Sequence, residues 1–480
     1  MMLIGVPNVL AWIAMILWPL FGLFLFRIMD HTKAITWGLL LSVMFLPMFV
    51  ELDFPAVPAL DKERIPALTA VVGALLFAPA AFKAAKPGRG YDILIVLWAI
   101  SSVITSLTNT DPLVFGPRTI QGETLYDAIS GSIGIILSWW CPFFLGRVAV
   151  QNREQLESVF RSFVKSILIY APFLLFEMKF SPMTNRIVYG FDQNQISQNF
   201  RWGGWRPVVM MRHGITCAMY VLQTLFATVI AKRMGIRPLA LSYRVLFYVV
   251  MALLIGCKST GALGFALFFL PFAIWTRPTV ILRVATIIAF IEISYPIFRL
   301  MELLPIDELL SFFKAAFGTE RAYSMEYRFN NEGEVLARAA ERIFFGWGGY
   351  SRYAIYSATT GQSFTVIDGL WVIQLGNYGL IGFVMHFGLL VFPVFGLRMH
   401  WKHIKDSRDR LALSLLALVC VVYVLDFLPN ASSDAYLTFL CGILAGLPAK
   451  IRQNKARRVA APAPAPVATS EFPGFGNNPL

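Results

Sequence analysis

The chain has little charge and little histidine for its length. Only 14% of its 480 residues are charged and five are histidine, whereas 57% are hydrophobic and the mean hydropathy is +0.64. A soluble domain of this size carries roughly a quarter charged residues. The composition therefore excludes an ordinary soluble domain and indicates a membrane protein.

Cysteine is also scarce. The five cysteines fall in or at the ends of apolar runs, none forms a Cys-x-x-Cys pair, and they are typical of small core residues. We therefore expect neither a disulfide framework nor a metal site, and no cofactor. These cysteines are Cys141, Cys217, Cys257, Cys420 and Cys441.

Long apolar runs dominate what is present. Many reach the roughly 20 residues that a helix needs to cross a hydrocarbon core. We predict an all-α polytopic membrane protein with about 12–13 transmembrane helices. A single transmembrane domain is expected over 1–448, with large outer loops at 182–210 and 305–367. The Ala/Pro-rich segment 449–480 is predicted to be a disordered cytoplasmic tail. The predicted spans are 8–27, 34–51, 65–83, 92–108, 129–149, 164–181, 211–231, 244–257, 260–276, 280–304, 370–396, 411–428 and 433–448.

Lys and Arg collect in alternating loops, around 83–89, 232–244, 398–410 and 450–458. The positive-inside rule places these loops together in the cytoplasm. This bias accounts for most of the net charge of +13 and argues against nucleic acid as a partner. Between 151 and 165 the pattern also predicts an amphipathic helix lying on the inner surface.

Other cations lie on the opposite, outer side, where topology does not require them. A planar guanidinium binds phosphate oxygens through two parallel hydrogen bonds, so this group predicts an anionic, lipid-linked ligand. The alternative is a set of unrelated interfacial side chains. His213, beside Arg212, is placed either for chemistry or for a helix-end hydrogen bond. The outer cations are Arg201, Arg206, Arg212, Lys258, Arg321, Arg328, Arg338, Arg342 and Arg352.

The outer segment also contains a motif series. Arg328 follows Ser-Met-Glu-Tyr and precedes a segment rich in helix formers; a Gly346-Trp-Gly-Gly turn comes next, and Asp368 then opens an apolar run containing Gly379 and Gly382. The glycines let the backbone turn sharply and approach a ligand. Two further elements are Gly-Gly-Trp-Arg206-Pro and Cys-Lys258-Ser-Thr.

These residues resemble the O-antigen ligase and polysaccharide polymerase superfamily of bacterial inner membranes. Arg328, Gly346 and Gly348 match its Arg and Gly-x-Gly elements, and the spacing from Asp368 to its glycines matches that of the family's loop histidine. Here that histidine is replaced by aspartate. The resemblance covers roughly 200–385.

The resemblance implies a GT-C-like fold and glycosyl transfer on the periplasmic side, metal-independent and inverting, from an undecaprenyl-diphosphate-linked glycan to an acceptor hydroxyl. Arg328 and Asp368 would be catalytic. Asp368 would act as general base; the alternative is that it only caps the next helix. Cations stabilise a diphosphate leaving group most in the transition state. The diphosphate would be held by Arg206 and Lys258 together with Arg328, extended by Arg321, Arg352, Arg212 and His213.

Polymerase and ligase differ in acceptor, which is a second lipid-linked repeat unit or lipid A core. The Lys-Ser-Thr turn and Asp368 favour a polymerase of exopolysaccharide or O-antigen repeats, for which chain-length regulators or export proteins are expected partners beside the bilayer. A flippase or secondary transporter is the alternative from another class, suggested by Glu292 and Asp426 in apolar spans. The clustering of cations on one face and the lack of an internal repeat argue against it. A non-catalytic partner of a polysaccharide machine is a third possibility.

Overall fold

The computed structural model describes residues 4–54, 57–365 and 367–460. Its regular structure is almost entirely helical, and the strands described form only short two-stranded antiparallel ladders, β1–β6, β2–β3, β4–β5 and β7–β8. The strands are β1 Ile4–Gly5, β2 Leu52–Phe54, β3 Val57–Leu60, β4 Leu113–Phe115, β5 Arg118–Ile120, β6 Phe191–Asp192, β7 Phe200–Arg201 and β8 Gly204–Trp205.

The helices follow the predicted apolar runs closely. They are α1 Val9–Ile28, α2 His31–Phe45, α3 Arg64–Phe77, α4 Pro79–Ala84, α5 Asp92–Leu107, α6 Leu125–Ile135, α7 Cys141–Ala149, α8 Arg153–Phe180, α9 Thr184–Tyr189, α10 Gly214–Met234, α11 Tyr243–Gly256, α12 Thr260–Trp275, α13 Pro278–Leu300, α14 Ile306–Phe317, α15 Thr319–Ala340, α16 Leu370–His400, α17 Ser407–Leu425 and α18 Ala435–Ala460. A π-helix, Ile136–Trp140, joins α6 to α7, and 3₁₀ turns lie at Ile196–Asn199 and Trp401–His403.

The protein is an all-α polytopic membrane protein. Within the described chain, seven helical segments are long and apolar enough to cross a membrane, and α3, α5, α11 and α12 are shorter apolar helices. The finer count of about 12–13 crossings remains a prediction. The seven segments are Val9–Ile28, Leu125–Ala149, Arg153–Phe180, Gly214–Met234, Pro278–Leu300, Leu370–His403 and Ala435–Arg452.

Helix α10 lies at the centre of the bundle. Its apolar stretch is 94% buried, whereas Leu267 and Trp275 of α12 are 81% and 76% exposed, as expected for side chains that face lipid. The segment before α10 carries Arg206, so this central position places the start of α10 and its preceding loop among the other helices rather than at the lipid boundary.

The sequence prediction about the start of α8 was wrong. No separate surface helix covers 151–165, because α8 runs without interruption from Arg153 to Phe180. Helix α18 continues to Ala460 and so includes 449–460, the first part of the segment 449–480 for which a disordered tail is predicted. The rest of that tail, 461–480, lies outside the described residues.

Helix α16 is interrupted at Gly379, where φ is 65° and ψ is −168°. A side chain there would meet the backbone of Phe344, whose carbonyl carbon lies 2.3 Å from the position of a Cβ atom. The amide of Leu380 donates to the carbonyl of Ile343 at 2.7 Å. The break therefore docks α16 against the end of the 305–367 segment and positions the first turns of α16.

Candidate active site

Arg328 and Asp368 lie together, as the sequence grouped them. Arg328 belongs to α15 and Asp368 to the segment just before α16; the Arg328 Nε atom lies 3.6 Å from Asp368 Oδ2, and the side chains are 42% and 44% exposed. Both residues line a cavity of about 270 Å³ that Tyr295, Glu332 and Pro429 also line. An accessible ion pair at a cavity provides a cation for an anionic ligand and a base next to it.

Asp368 is not the capping residue of α16. The N-cap is Gly369, and the amide of Leu370 donates to the carbonyl oxygens of Phe427 (2.9 Å) and Asn430 (3.1 Å). The start of α16 is thus held by the loop after α17. This arrangement favours the interpretation of Asp368 as a cavity residue over that of a simple helix cap.

Asp426, at the end of α17, provides a second carboxylate near these residues. It is 2% exposed, its Oδ1 accepts from Asn430 Nδ2 at 2.8 Å, and Oδ2 has no hydrogen-bond partner among the described residues. It lies close enough to Arg206 and Arg328 to interact electrostatically with both. Asp426 therefore lies within electrostatic range of both arginines that the resemblance assigned to the diphosphate.

Arg206 is almost completely buried and incompletely bonded. Its exposure is 1%, and neither Nε nor the first terminal nitrogen has a hydrogen-bond partner within the part of the chain that the structure describes. Burial lowers the pKa of Arg206 to about 10, so the side chain stays protonated at neutral pH. Buried donors without acceptors are costly and uncommon in folded proteins. Arg206 is therefore prepared to receive an acceptor-rich ligand.

The start of α10 adds to this positive field. A Cβ atom on Gly214, the first residue of α10, would lie 2.5 Å from Cδ and Nε of Arg206, so the arginine crosses directly over that glycine. Helix N-termini carry partial positive charge and attract anions. Two sources of positive charge therefore coincide in one buried place.

Lys258 lies against the hairpin that precedes Arg206. Its backbone is left-handed, with φ 48°, its Nζ donates to the carbonyl of Trp202 at 3.4 Å, and a Cβ on Gly204 would lie 2.5 Å from Nζ. The small residue at Gly204 thus lets the lysine approach. The structure brings Lys258 and Arg206 to the same β7–β8 hairpin.

Residues that the sequence did not indicate hold the segment after Arg206. Glu177 of α8 accepts hydrogen bonds from the amides of Val208 (2.8 Å) and Val209 (2.7 Å), and Lys62 donates to the carbonyl of Met210 (2.8 Å). Burial lowers the pKa of Lys62 to about 7. In the sequence, the only indication that Glu177 has such a role is that it is a carboxylate near the end of an apolar run. These contacts fix the backbone that carries Arg206.

Arg212 and His213 contribute less to the site. Arg212 pairs with Glu63 at 3.4 Å, and His213 is the N-cap of α10, where its Nδ1 accepts from the amide of Ile215 at 3.2 Å. Burial, reinforced by Arg206 and Arg201, lowers the pKa of His213 to about 4. His213 is therefore neutral at physiological pH and acts at the helix end rather than as a cation.

Arg352 has its donors engaged by the protein. It is 1% exposed and donates to the carbonyl oxygens of Trp347 (3.1 Å), Gln121 (2.7 Å) and Asp111 (2.8 Å). This geometry favours a structural role over the predicted contact with diphosphate. The side chain of Arg321 lies outside the described residues.

The glycine turn contacts the protein's own backbone. Gly346 and Gly348 have φ of 73° and 82°, and the amides of Trp347 and Gly348 donate to the carbonyls of Gly376 (2.8 Å) and Asn377 (2.9 Å). The turn thus docks on the break in α16, whereas the sequence predicted that it would approach a ligand.

Arg338 and Arg342 both contact the ring of Trp347, with their guanidinium carbons 3.4 and 4.5 Å from the ring centroid. Such cation–π contacts stabilise a partly buried ring. The two arginines therefore hold the glycine turn in place, and Arg338 also pairs with Glu341 at 2.5 Å.

No protein-family model matches the chain, and no curated protein matches it significantly. Membership of the O-antigen ligase and polymerase superfamily therefore remains a prediction that rests on the motifs.

Proposed function

We propose that the protein is a polysaccharide polymerase of the bacterial inner membrane. It transfers glycan from an undecaprenyl-diphosphate donor to a hydroxyl of an acceptor glycan on the periplasmic side, with inversion and without a metal ion. The observations that support this proposal are the buried Arg206, two of whose donors have no partner among the described residues, and the accessible Arg328–Asp368 pair; both arginines interact electrostatically with Asp426.

In this mechanism the bond between the sugar C1 and the diphosphate oxygen breaks while C1 forms a bond to the acceptor oxygen. Arg206, Arg328 and Lys258 stabilise the negative charge that grows on the departing undecaprenyl diphosphate. Preorganised cations take the role that Mg²⁺ has in many sugar-nucleotide enzymes. Transition-state stabilisation of this kind is stronger in a buried site than in water.

Asp368 accepts the proton of the attacking hydroxyl. The acceptor approaches C1 from the face opposite the diphosphate, which gives inversion. Because Arg328 contacts Asp368, the Arg328 guanidinium can both orient the Asp368 base and contact the donor. Asp368 therefore stays next to the reacting C1 carbon.

The direct test uses the purified protein in nanodiscs with lipid-diphosphate-linked repeat units, EDTA and no other component. A ladder of chain lengths on a gel supports a metal-independent polymerase. Transfer only after addition of lipid A core would identify a ligase instead. The matched control is Glu341→Ala, which removes an exposed ion pair from the same region as Arg328 and should leave the ladder unchanged.

A transporter is the second candidate, and one observation favours it. Glu292 of α13 is fully buried, and neither carboxylate oxygen has a hydrogen-bond partner among the described residues. Buried acids inside membrane spans often mark ion pathways. Movement of a fluorescent lipid-linked oligosaccharide across proteoliposomes, lost in Glu292→Gln and retained in Asp368→Asn, would support this function and oppose the polymerase.

A further inference from the structure

A second cavity, of about 440 Å³, lies on the other face of α16 from the Arg328–Asp368 cavity. Val372 lines the first cavity, whereas Gln374 and Tyr378 line the second. Positions two apart on a helix point in nearly opposite directions, so the two cavities flank the same first turns of α16. A helix with its side chains is roughly 10 Å wide, so the two cavities are separated by a distance of that order.

The lining of the second cavity combines aromatic rings with polar groups. Trp98 comes from α5, Tyr126 from α6, Ser138 and Trp139 from the π-helix, and Gln374 from α16. π-Helical turns occur frequently at functional sites because they reorient side chains. The cavity volume lies within the range of roughly 300–1,000 Å³ typical of small-molecule sites, which are lined by aromatic rings and a few polar groups.

Two buried polar atoms of this lining lack partners. Gln374 is 8% exposed and Trp98 is 1% exposed, and within the described chain neither Gln374 Oε1 nor Trp98 Nε1 has a hydrogen-bond partner. Gln374 Oε1 requires a donor, whereas Trp98 Nε1 requires an acceptor. A phosphate dianion offers only acceptors and a hydrocarbon chain offers neither. A hydroxyl group can donate and accept, so the hydrogen-bonding needs of these two lining side chains match a hydroxyl-rich ligand.

The aromatic side chains are held in place before any ligand arrives. The ring of Trp98 stacks on His386 at 4.4 Å, and the ring centroids of Trp98 and Trp139 are 5.9 Å apart. Arg64, which also lines the cavity, donates from Nε to Ser138 Oγ at 3.1 Å and fixes the π-helical turn. Rings fixed in this way lose little conformational entropy when a flat apolar face, such as the C–H face of a sugar, packs on them.

We infer that this cavity is a binding subsite for a pyranose unit of the acceptor glycan, separate from the diphosphate site. The assignment to the acceptor rests on the proposed polymerase function, whereas the sugar chemistry rests on the cavity alone. An acceptor anchored here reaches around α16 to present its terminal hydroxyl to Asp368. The enzyme then recognises the donor diphosphate by charge, and the acceptor sugar by stacking and by hydrogen bonds to a lining that also includes Asp53 and Arg64.

The test measures binding of phosphate-free sugars. Saturation-transfer NMR is recorded for lactose, cellobiose and chitobiose with the full-length protein in nanodiscs, since sugar-based detergents would compete. We expect at least one disaccharide to bind the wild type, and its affinity to fall about tenfold in Trp139→Leu and in the near-isosteric Gln374→Met. The matched control is Trp140→Leu, because Trp140 belongs to the same π-helix but stacks on Phe144 at 4.9 Å.

Absence of binding by the wild type, or equal binding by Trp139→Leu, Gln374→Met and the control, would overturn the subsite. Asp368→Asn should bind the disaccharide as the wild type does. If the wild type forms a polymer ladder but binds no disaccharide, the subsite is wrong and the polymerase stands. If it binds disaccharides through Trp139 but forms no ladder, the sugar site stands and the polymerase is wrong.

Discussion

Arg328 and Asp368 meet at 3.6 Å and join α15 to the entrance of α16 at the wall of a cavity. We expect Arg328→Ala and Asp368→Asn each to lower polymerisation by about 100-fold or more, the size of effect typical of a lost charge stabiliser or general base. Both side chains are accessible, so expression and melting temperature should stay near those of the wild type. Chain length on a gel, compared between the variants and the wild type at several amounts of protein, checks this expectation. A full-length ladder from either variant would contradict it.

Arg206 should affect activity and stability in opposite directions. Arg206→Met removes a buried cation with unsatisfied donors, so we expect activity to be lost while stability rises by roughly 1–3 kcal/mol. Added inorganic pyrophosphate should raise the melting temperature of the wild type but not that of the variant. A structural arginine would instead lose stability on substitution, so a lower melting temperature of Arg206→Met would refute the ligand-binding role.

Substitution of Arg352, unlike that of Arg206, should lower stability more than activity. Its bonds to Gln121 and Asp111 hold the 305–367 segment on the chain between α5 and α6, its bond to Trp347 lies within the 305–367 segment, and Arg352→Met leaves all three acceptors unpaired. We expect a stability loss of roughly 2–4 kcal/mol, and activity per folded molecule should change less than in Arg206→Met. Thermal unfolding measures the loss of stability. An activity assay corrected for the fraction of folded protein measures the activity per folded molecule. A variant with wild-type stability and no activity would restore Arg352 to the diphosphate site.

The break in α16 gives a paired test of the glycine motif. At Gly379 an alanine would meet both a left-handed backbone and the Phe344 carbonyl group, so Gly379→Ala should destabilise the protein by roughly 1–3 kcal/mol. Gly264, inside α12, has open space at its Cβ position, and Gly264→Ala should stabilise by roughly 0.5–1 kcal/mol. Melting temperatures that shift equally in both variants would disprove the docking role of Gly379.

The pH dependence of stability should reveal His213. Burial and nearby Arg206 and Arg201 lower its pKa from 6.5 to about 4, so the unfolded chain binds more protons between those two values. Stability contributed by the neutral ring is therefore present above pH 6.5 and is lost as the pH falls towards 4, by about 3 kcal/mol at most. His213→Asn keeps a capping side chain and should flatten this slope in thermal unfolding between pH 4 and 6.5. An unchanged slope would show that His213 is not the titrating group.

The apolar runs alone were sufficient to predict the helical class and most helix positions, because a membrane-spanning segment must satisfy its own backbone hydrogen bonds and needs a fixed apolar length. They did not predict that Arg328, inside α15, would contact Asp368, just before α16; the resemblance grouped the two residues, and the fold brings them within 3.6 Å. The continuity of α8 was missed because its first turns contain charged residues that resemble an interfacial helix.

Which cations are available to a ligand was decided only by tertiary structure. Arg206 and Arg352 look alike in the sequence and are equally buried, yet Arg352 meets three carbonyl oxygens whereas two donors of Arg206 meet none. The motif residues Gly346 and Gly379 likewise contact each other's segments. Apolar periodicity reports what a residue does within its own helix, but hydrogen-bond satisfaction depends on which distant backbone atoms the fold brings within 3 Å or so.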